Sequence, residues 1–296
     1  MLTFKNFINE AASPYATKWD GEEAFIAWCE KNAPKFLATI ARAPIFRGSD
    51  VPSGIINTSG MSRTSANTRN FYTVWIDGDP SWHLYPKRSK SLICGSDADY
   101  PSEFGDLKLV IPADNARVGI TRAAAFDMWD AFRATLKKME HRVRYNLEAL
   151  INDLGTMIDL RGNHSAAHKL LARGSETDYD DLVAMLASLT AAEIEKMSVD
   201  PDVDADDRQI LSIWSEYMVD YNWGDMHDAL TELLDPETNG FRTSSAGRFA
   251  AIFSASSEVW VEGEVAMIDV EMLQSAHGGL SPLAQFVNKY RIDAVF

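Results

Sequence analysis

The sequence carries strand-like and helix-like patterns in separate blocks, and this separation does most to limit the folds open to the chain. Short runs rich in β-branched and aromatic residues occur within residues 43–112 and again from residue 258. Between them, residues 123–234 place apolar side chains at helical spacings of three and four, with few breakers. Strands from both flanks must therefore meet in one sheet, unless the chain forms two separate domains.

Individual runs predict particular elements. Residues 22–41 predict a helix that Pro34 divides into two pieces. Residues 54–70 are rich in Ser, Thr, Asn and Gly, and they predict a loop or binding surface. Strands are expected at residues 43–48, 71–76, 89–94 and 107–112, with two more on either side of Gly263.

Composition excludes several classes of protein. The chain has 296 residues, of which 46% are hydrophobic and 24% charged, so it is expected to be globular rather than disordered. Its formal net charge of −15 argues against binding of nucleic acid or an anionic membrane by its general surface. No apolar run is long enough to span a bilayer, and the N-terminus does not resemble a secretory signal. Two cysteines exclude a disulfide framework.

The first candidate site motif is Phe46-Arg47-Gly48. An arginine at the end of a buried strand, followed by glycine, would place a fixed guanidinium at the mouth of a cleft. Its planar fork of N–H donors suits bidentate contact with phosphate.

The second candidate is the basic run at residues 86–91, which holds three cations and two serines before an apolar strand. Ser89 and Ser91 are two residues apart, so on a strand both side chains would point to the same face. Such a pair can hydrogen-bond a carboxylate or a ribose hydroxyl.

The third candidate is Glu258, which opens a short apolar strand and could act on a ribose hydroxyl or as a general base. Glu262 and Glu264 flank Gly263 and are more typical of a solvated hairpin turn. They remain an alternative, because together they would form a Glu-x-Glu motif farther along the chain.

Taken together, the three motifs resemble the Arg–Ser–Glu pattern of the mono-ADP-ribosyltransferase family. The resemblance implies an α+β fold with an ADP-ribosyltransferase-like split β core and a large helical insertion. By position, Arg47 would bind the pyrophosphate of NAD, Ser89 would order the site, and Glu258 would stabilise the oxocarbenium ion. The residue two before Glu258 is Ser256, where many members have Glu or Gln, so the acceptor group stays open.

The resemblance also implies a domain organisation and a set of NAD-binding residues. The N-terminal helical segment would cover residues 1–44, the two halves of the core 45–121 and 245–296, and the insertion 122–244. NAD, as substrate, is expected to contact Arg47, Gly48, Ser89 and Ser91. The stacking aromatic ring would be Tyr72, Trp75 or Tyr85, and Asn67 lies in a polar stretch suited to ribose or phosphate.

The N-terminus carries a separate signal. Residues 1–11 resemble the leader peptides of internal head proteins of T-even-type bacteriophages, in which a protease cuts after a Leu/Ile-x-Glu sequence. Ile8-Asn9-Glu10 fits that form. The resemblance implies packaging in the virion, delivery to the host cytoplasm and processing after Glu10.

These observations predict an NAD-dependent ADP-ribosyltransferase that modifies a host protein. Two alternatives stay open: a non-catalytic internal virion protein, and an NAD glycohydrolase that uses water as the acceptor. No metal is expected, since His164 and His168 lack the glutamate of a zinc-protease motif. The acidic run at residues 200–207 lacks the glycine and glutamate of a calcium loop.

Overall fold

A computed structural model describes residues 16–17, 20–63, 71–122, 125, 128–139, 147–171 and 178–296. The chain divides into two compact units. One, the β unit, comprises Met1–Arg63, Leu84–Met128 and Gly240–Phe296. The other, the helical unit, comprises Thr64–His83 and Trp129–Asn239. The predicted insertion at 122–244 thus corresponds to most of the helical unit, but Thr64–His83, expected in the first half of the core, also belongs to it.

The structure describes the following strands and helices. The strands are β1 Ala16–Thr17, β2 Phe46–Gly48, β3 Gly54–Asn57, β4 Leu92–Gly95, β5 Leu107–Pro112, β6 Arg117–Ile120, β7 Arg242–Ser245, β8 Glu258–Glu262 and β9 Glu264–Asp269. The helices are α1 Glu22–Asn32, α2 Pro34–Leu37, α3 Phe71–Gly78, α4 Met128–Ala131, α5 Arg133–Leu136, α6 Leu147–Leu160, α7 His164–Leu171, α8 Tyr179–Ala187, α9 Ala191–Ser198, α10 Ala205–Asp220, α11 Met226–Leu233, α12 Val270–Ala276 and α13 Pro282–Tyr290.

The strands form one open antiparallel sheet in the order β1-β3-β9-β5-β2-β4-β8-β6-β7. β4 lies before the helical insertion and β8 lies after it, and the two pair along their whole length, from Leu92 opposite Val261 to Gly95 opposite Glu258. The prediction that strands from both flanks meet in one sheet is therefore confirmed. The mixed α and β organisation of the chain is confirmed as well.

The connection from β8 to β9 corrects the predicted hairpin around Gly263. These two strands do not pair with each other: β8 pairs with β4 and β6, whereas β9 pairs with β3 and β5. Only Gly263 separates them, so the sheet must fold back sharply at this corner. Gly263 has φ of 136° there, and a Cβ would lie 3.0 Å from that of Ala116, so glycine is needed.

The core of the β unit lies between the sheet and the helices that flank it in sequence. Phe25 of α1 packs edge-on against Phe286 of α13, and both rings are buried. Asp114, in the turn between β5 and β6, accepts hydrogen bonds from the backbone N–H groups of Lys35 and Phe36. It therefore caps α2, and Pro34 breaks the first helix as predicted.

Helix α3 corrects the expectation of a strand at residues 71–76. Five of its eight residues are buried, so the run is apolar on more than one side. A short apolar run of this kind cannot be assigned to strand or helix from periodicity alone. Most of residues 71–78 are buried within the helical unit, and the run forms a helix there. Trp75 packs against the rings of Tyr179 and His227.

The helical block is more divided than its sequence predicts. Within the helically spaced run 123–234, α10 ends and α11 begins around Asn222, which has a positive φ. The described residues of this run before residue 161 include α4, α5 and α6. Among the helices that the structure describes, none is long and apolar enough to cross a membrane.

Candidate active site

Glu258 is the first residue of β8, and hydrogen bonds with the segment that follows β6 hold its backbone in place. Its N–H donates to the hydroxyl of Thr121 at 3.0 Å and to the carbonyl of Ala125 at 3.1 Å. The N–H of Thr121 donates in turn to the Glu258 carbonyl at 3.0 Å. The strand end that carries the predicted catalytic carboxylate is therefore rigidly placed.

The Glu258 carboxylate is almost fully buried, with 6% of the side chain exposed. Oε1 accepts a hydrogen bond from Nη1 of Arg88 at 2.6 Å and another from the indole N–H of Trp260. Oε2 accepts one from the backbone N–H of Met128 at 3.3 Å. Both carboxylate oxygens are thus engaged, and the arginine balances the buried negative charge.

The segment at residues 86–91, which we call the basic turn, lies against the sheet face that carries Glu258. Pro86 occupies the space that a side chain at Gly119 of β6 would need, since a Cβ there would lie 3.0 Å from Pro86 Cδ. Glu262 accepts a hydrogen bond from the Lys87 N–H at 2.8 Å and one from Arg117 at 2.9 Å. Glu262 is therefore an anchor of the basic turn rather than part of a solvated hairpin.

The two serines of the basic turn do not share a strand face. Arg88–Lys90 forms a short 3-10 helix, so β4 begins only at Leu92. Ser91 is buried and its hydroxyl donates to the Lys87 carbonyl at 2.7 Å, which closes the turn. The Ser89 carbonyl accepts the N–H of Arg63 at 2.8 Å. Arg88 of this turn donates to the Glu258 carboxylate.

Arg47 and Glu258 lie on opposite faces of the sheet. Phe46 pairs with Gly95, and Gly95 pairs with Glu258, so these three side-chain positions share one face. Arg47 follows Phe46 directly and therefore points to the other face. The structure does not bring the Arg47 side chain to the face that carries Glu258, as the predicted NAD cleft required.

Arg47 is a buried cation within the sheet. It is 2% exposed, and its Nη1 donates to the Ile93 carbonyl at 2.6 Å. Lys108 lies directly opposite on β5 and pairs with Asp269 of β9. Burial alone would raise the pKa of Asp269, but the hydrogen bonds from Lys108 and Ser53 outweigh it and hold that pKa below its usual value.

Gly48 is explained by packing. A Cβ on Gly48 would lie 1.8 Å from the carbonyl oxygen of Pro101, and one on Gly95 would lie 2.7 Å from Pro101 Cγ. Both glycines let the segment that begins at Pro101 lie directly on β2 and β4. The space beside Gly48 that a cofactor would need is therefore filled by the protein's own backbone.

Of the aromatic residues proposed to stack nicotinamide, two belong to the helical unit and one to the β unit. Tyr72 and Trp75 are buried in α3 of the helical unit. Tyr85 is buried in the β unit, where its hydroxyl donates to the Phe241 carbonyl at 3.2 Å. Asn67 and the leader at residues 1–11 lie outside the described residues.

Trp260 and Arg88 are the site residues that motif reasoning missed. The Arg88 guanidinium carbon lies 5.0 Å from the centre of the Trp260 ring, within the range of a cation–π contact. Trp260 is two residues after Glu258 on the same strand, and this alternation places both side chains on one face. This spacing could have identified Trp260 from the sequence, because a residue two positions from Glu258 on a strand lies on the same face.

A metal role finds little support in the part of the chain that the structure describes. Asp225, His227 and Asp228 bring potential ligand atoms within 4.8 Å of one another. The two carboxylates, however, accept the N–H groups of Asp228 and Gly224 at the start of α11. They serve as helix caps, at the helix end whose dipole disfavours a cation.

The chain matches no protein-family model, no curated protein sequence and no solved structure. The site must therefore be interpreted from its own chemistry. A buried carboxylate, an indole ring and a planar cation meet on one sheet face, close to a turn rich in positive charge. Such a group can bind a flat organic cation and stabilise positive charge that develops beside the carboxylate.

Proposed function

We propose that this protein transfers ADP-ribose from NAD to a protein acceptor, with Glu258 as the catalytic carboxylate. The observation that carries the proposal is the order β2-β4-β8 in the sheet. The strand with the Arg-Gly motif, the strand that follows the basic turn and the strand that begins with Glu258 are immediate neighbours, although the helical insertion separates β8 from the others in sequence. This adjacency supports the proposal, because it brings segments far apart in sequence onto neighbouring strands.

In the proposed reaction, the bond between ribose C1′ and the nicotinamide nitrogen breaks. Its electron pair goes to the nitrogen and neutralises the pyridinium, and positive charge develops on the ribose. A nearby ionised Glu258 stabilises that charge electrostatically. A lone pair of the acceptor then bonds to C1′, and the acceptor's proton passes to solvent. If water is the acceptor, the same steps give hydrolysis.

The residue roles change from those expected by position. Arg47 and Gly48 hold the sheet and its covering segment together, so we assign them no contact with NAD. Arg88 of the basic turn contacts Glu258, and Lys87 of the same turn is exposed. We therefore assign the pyrophosphate of NAD to the basic turn, where a local positive charge would offset its two phosphates.

One observation favours the non-catalytic alternative, an internal virion protein. Every described contact of the Glu258 carboxylate is internal: Arg88 and Trp260 bind Oε1, and the Met128 N–H binds Oε2. A carboxylate satisfied in this way can be wholly structural. The N-terminal resemblance to phage internal head proteins agrees with either function, because an enzyme delivered with DNA would also carry such a leader.

The test is incubation of the purified protein with NAD labelled in the adenylate moiety, with and without extract of a bacterial host. Label on protein supports transfer, free labelled ADP-ribose alone supports hydrolysis, and no loss of NAD supports the non-catalytic alternative. Glu258→Gln should lower turnover about 10²–10³-fold, the usual effect of removing one transition-state charge contact.

Glu30→Gln is the control, because Glu30 of α1 is also ion-paired, with Lys289 at 2.7 Å. It removes the same charge from a residue to which the proposal assigns no part in NAD binding, so most of the turnover should remain. Equal loss in both variants would show that general destabilisation, not catalysis, explains the effect.

A further inference from the structure

The contact of the Arg88 side chain with Glu258 and Trp260 resembles a cationic ligand bound to an anionic and aromatic site. The carboxylate lies at the edge of the indole ring, where it accepts the indole N–H, while the guanidinium lies over the ring at 5.0 Å. The flat cation therefore contacts a carboxylate and an aromatic ring at the same time. We infer that Glu258 and Trp260 form a receptor for planar organic cations, and that Arg88 is its intramolecular occupant.

The receptor depends on charge as much as on shape. The Glu258 side chain is 6% exposed, so without a cationic partner it would be a buried and uncompensated charge. Any occupant must therefore bring a positive charge with it. A neutral ring of the same shape would leave the carboxylate unpaired and should bind poorly.

The backbone of the basic turn is anchored independently of the Arg88 side chain. Glu262 holds the Lys87 N–H at 2.8 Å, and the Ser91 hydroxyl holds the Lys87 carbonyl at 2.7 Å. Pro86 is seated over Gly119. The backbone of the turn can therefore stay in place when the Arg88 side chain leaves Glu258.

The inference rests on the proposed function for the natural ligand, which is the pyridinium ring of oxidised NAD. That ring is planar and positively charged, so it can replace the guanidinium on both the carboxylate and the indole. When the glycosidic bond breaks, nicotinamide becomes neutral and loses its attraction for Glu258. Arg88 can then return, which makes it a latch that closes the site between turnovers.

The experiment measures binding of N1-methylnicotinamide, a pyridinium cation without the ADP-ribose moiety, by equilibrium dialysis. A competitor that fills the site at least nine-tenths of the time weakens apparent affinity about tenfold or more. Arg88→Ala should therefore bind this probe about tenfold more tightly than the wild-type protein, or better. Lys90→Ala, which removes one positive charge from the same turn, should bind like the wild type.

Two further measurements separate this inference from simpler explanations. Uncharged nicotinamide should show no gain with Arg88→Ala, and the double variant Arg88→Ala, Glu258→Gln should lose the gain for the cation. If Arg88→Ala does not fold, as judged by circular dichroism, Arg88→Lys keeps the charge but not the planar group and should still bind the probe several-fold more tightly.

Unchanged or weaker binding of the cation to the folded Arg88 variant would overturn the inference, as would an equal gain for neutral nicotinamide. NAD turnover by the wild-type protein is a separate readout. Turnover without the predicted gain leaves the proposed function standing and removes the latch. The gain without any NAD turnover leaves the cation receptor standing and removes the proposed function.

Discussion

Replacement of Gly48 by alanine tests whether the Arg-Gly motif serves packing or ligand binding. The added Cβ would lie 1.8 Å from the Pro101 carbonyl oxygen and 2.9 Å from the Pro101 carbonyl carbon. Real Cβ contacts stay beyond 3.0 Å, so the two backbone segments must separate by more than 1 Å. Gly48 has no positive φ, so alanine would suffer no backbone strain and the substitution isolates the steric effect.

The separation is resisted on both sides. The Ser49 N–H donates to the Asp106 carbonyl at 3.0 Å, and Gly48 pairs with Leu107 across the sheet, so the segment beginning at Pro101 is tied down at its end. Overpacking typically costs 1–3 kcal/mol, and rigid backbone on both sides justifies the upper end, about 3 kcal/mol. For a unit of this size that corresponds to a melting midpoint lowered by about 6–12 °C.

Differential scanning calorimetry and NAD binding should be measured on the same preparation. Gly224→Ala is the control, because its Cβ would meet only a side-chain oxygen of Asp228 at 3.0 Å, and its midpoint should barely change. A Gly48→Ala protein that melts like the wild type but no longer binds NAD would refute the packing argument and restore Gly48 as a ligand contact.

Two other measurements follow from buried groups. Asp269→Asn should be less stable than the wild type at neutral pH, because buried Lys108 loses its counter-charge. The folded-state pKa of Asp269 is lowered, so the difference in stability should be complete above pH 3.8 and should disappear as the pH falls further. Urea titrations of both proteins across this pH range measure it. Cys29 and Cys94 are buried. Burial, and to a smaller extent the charge of Glu30, raises the pKa of the Cys29 thiol. Iodoacetamide should therefore label neither cysteine in the native protein and both in urea, and rapid native labelling would contradict the fold.

The sequence predicted the sheet better than the connections within it. β5 was placed correctly because its apolar run is bounded by turn residues on both sides, and β8 and β9 were recognised on either side of Gly263. Their failure to pair with each other was not predictable, because a hairpin and a sheet corner use the same glycine. β3 was assigned to a loop, since its four residues are short and lie among Ser, Thr and Asn.

The site was predicted only as far as local pattern could take it. Glu258 as the first residue of a buried strand was correct. The opposite orientation of Arg47 depends on the register of three strands, two of them separated by the helical insertion, and no local pattern encodes that register. The Arg–Ser–Glu pattern does not include Arg88, although a buried carboxylate requires a nearby cation.

Arguments from net charge must be made for each of the two units separately. The helical unit has 25 acidic and 11 basic residues, whereas the β unit has 18 and 17. Nearly all of the formal charge of −15 therefore belongs to the helical unit, and the exclusion of nucleic acid from the general surface applies there. The β unit is nearly neutral, so a dinucleotide anion meets no general repulsion from the unit that holds Glu258.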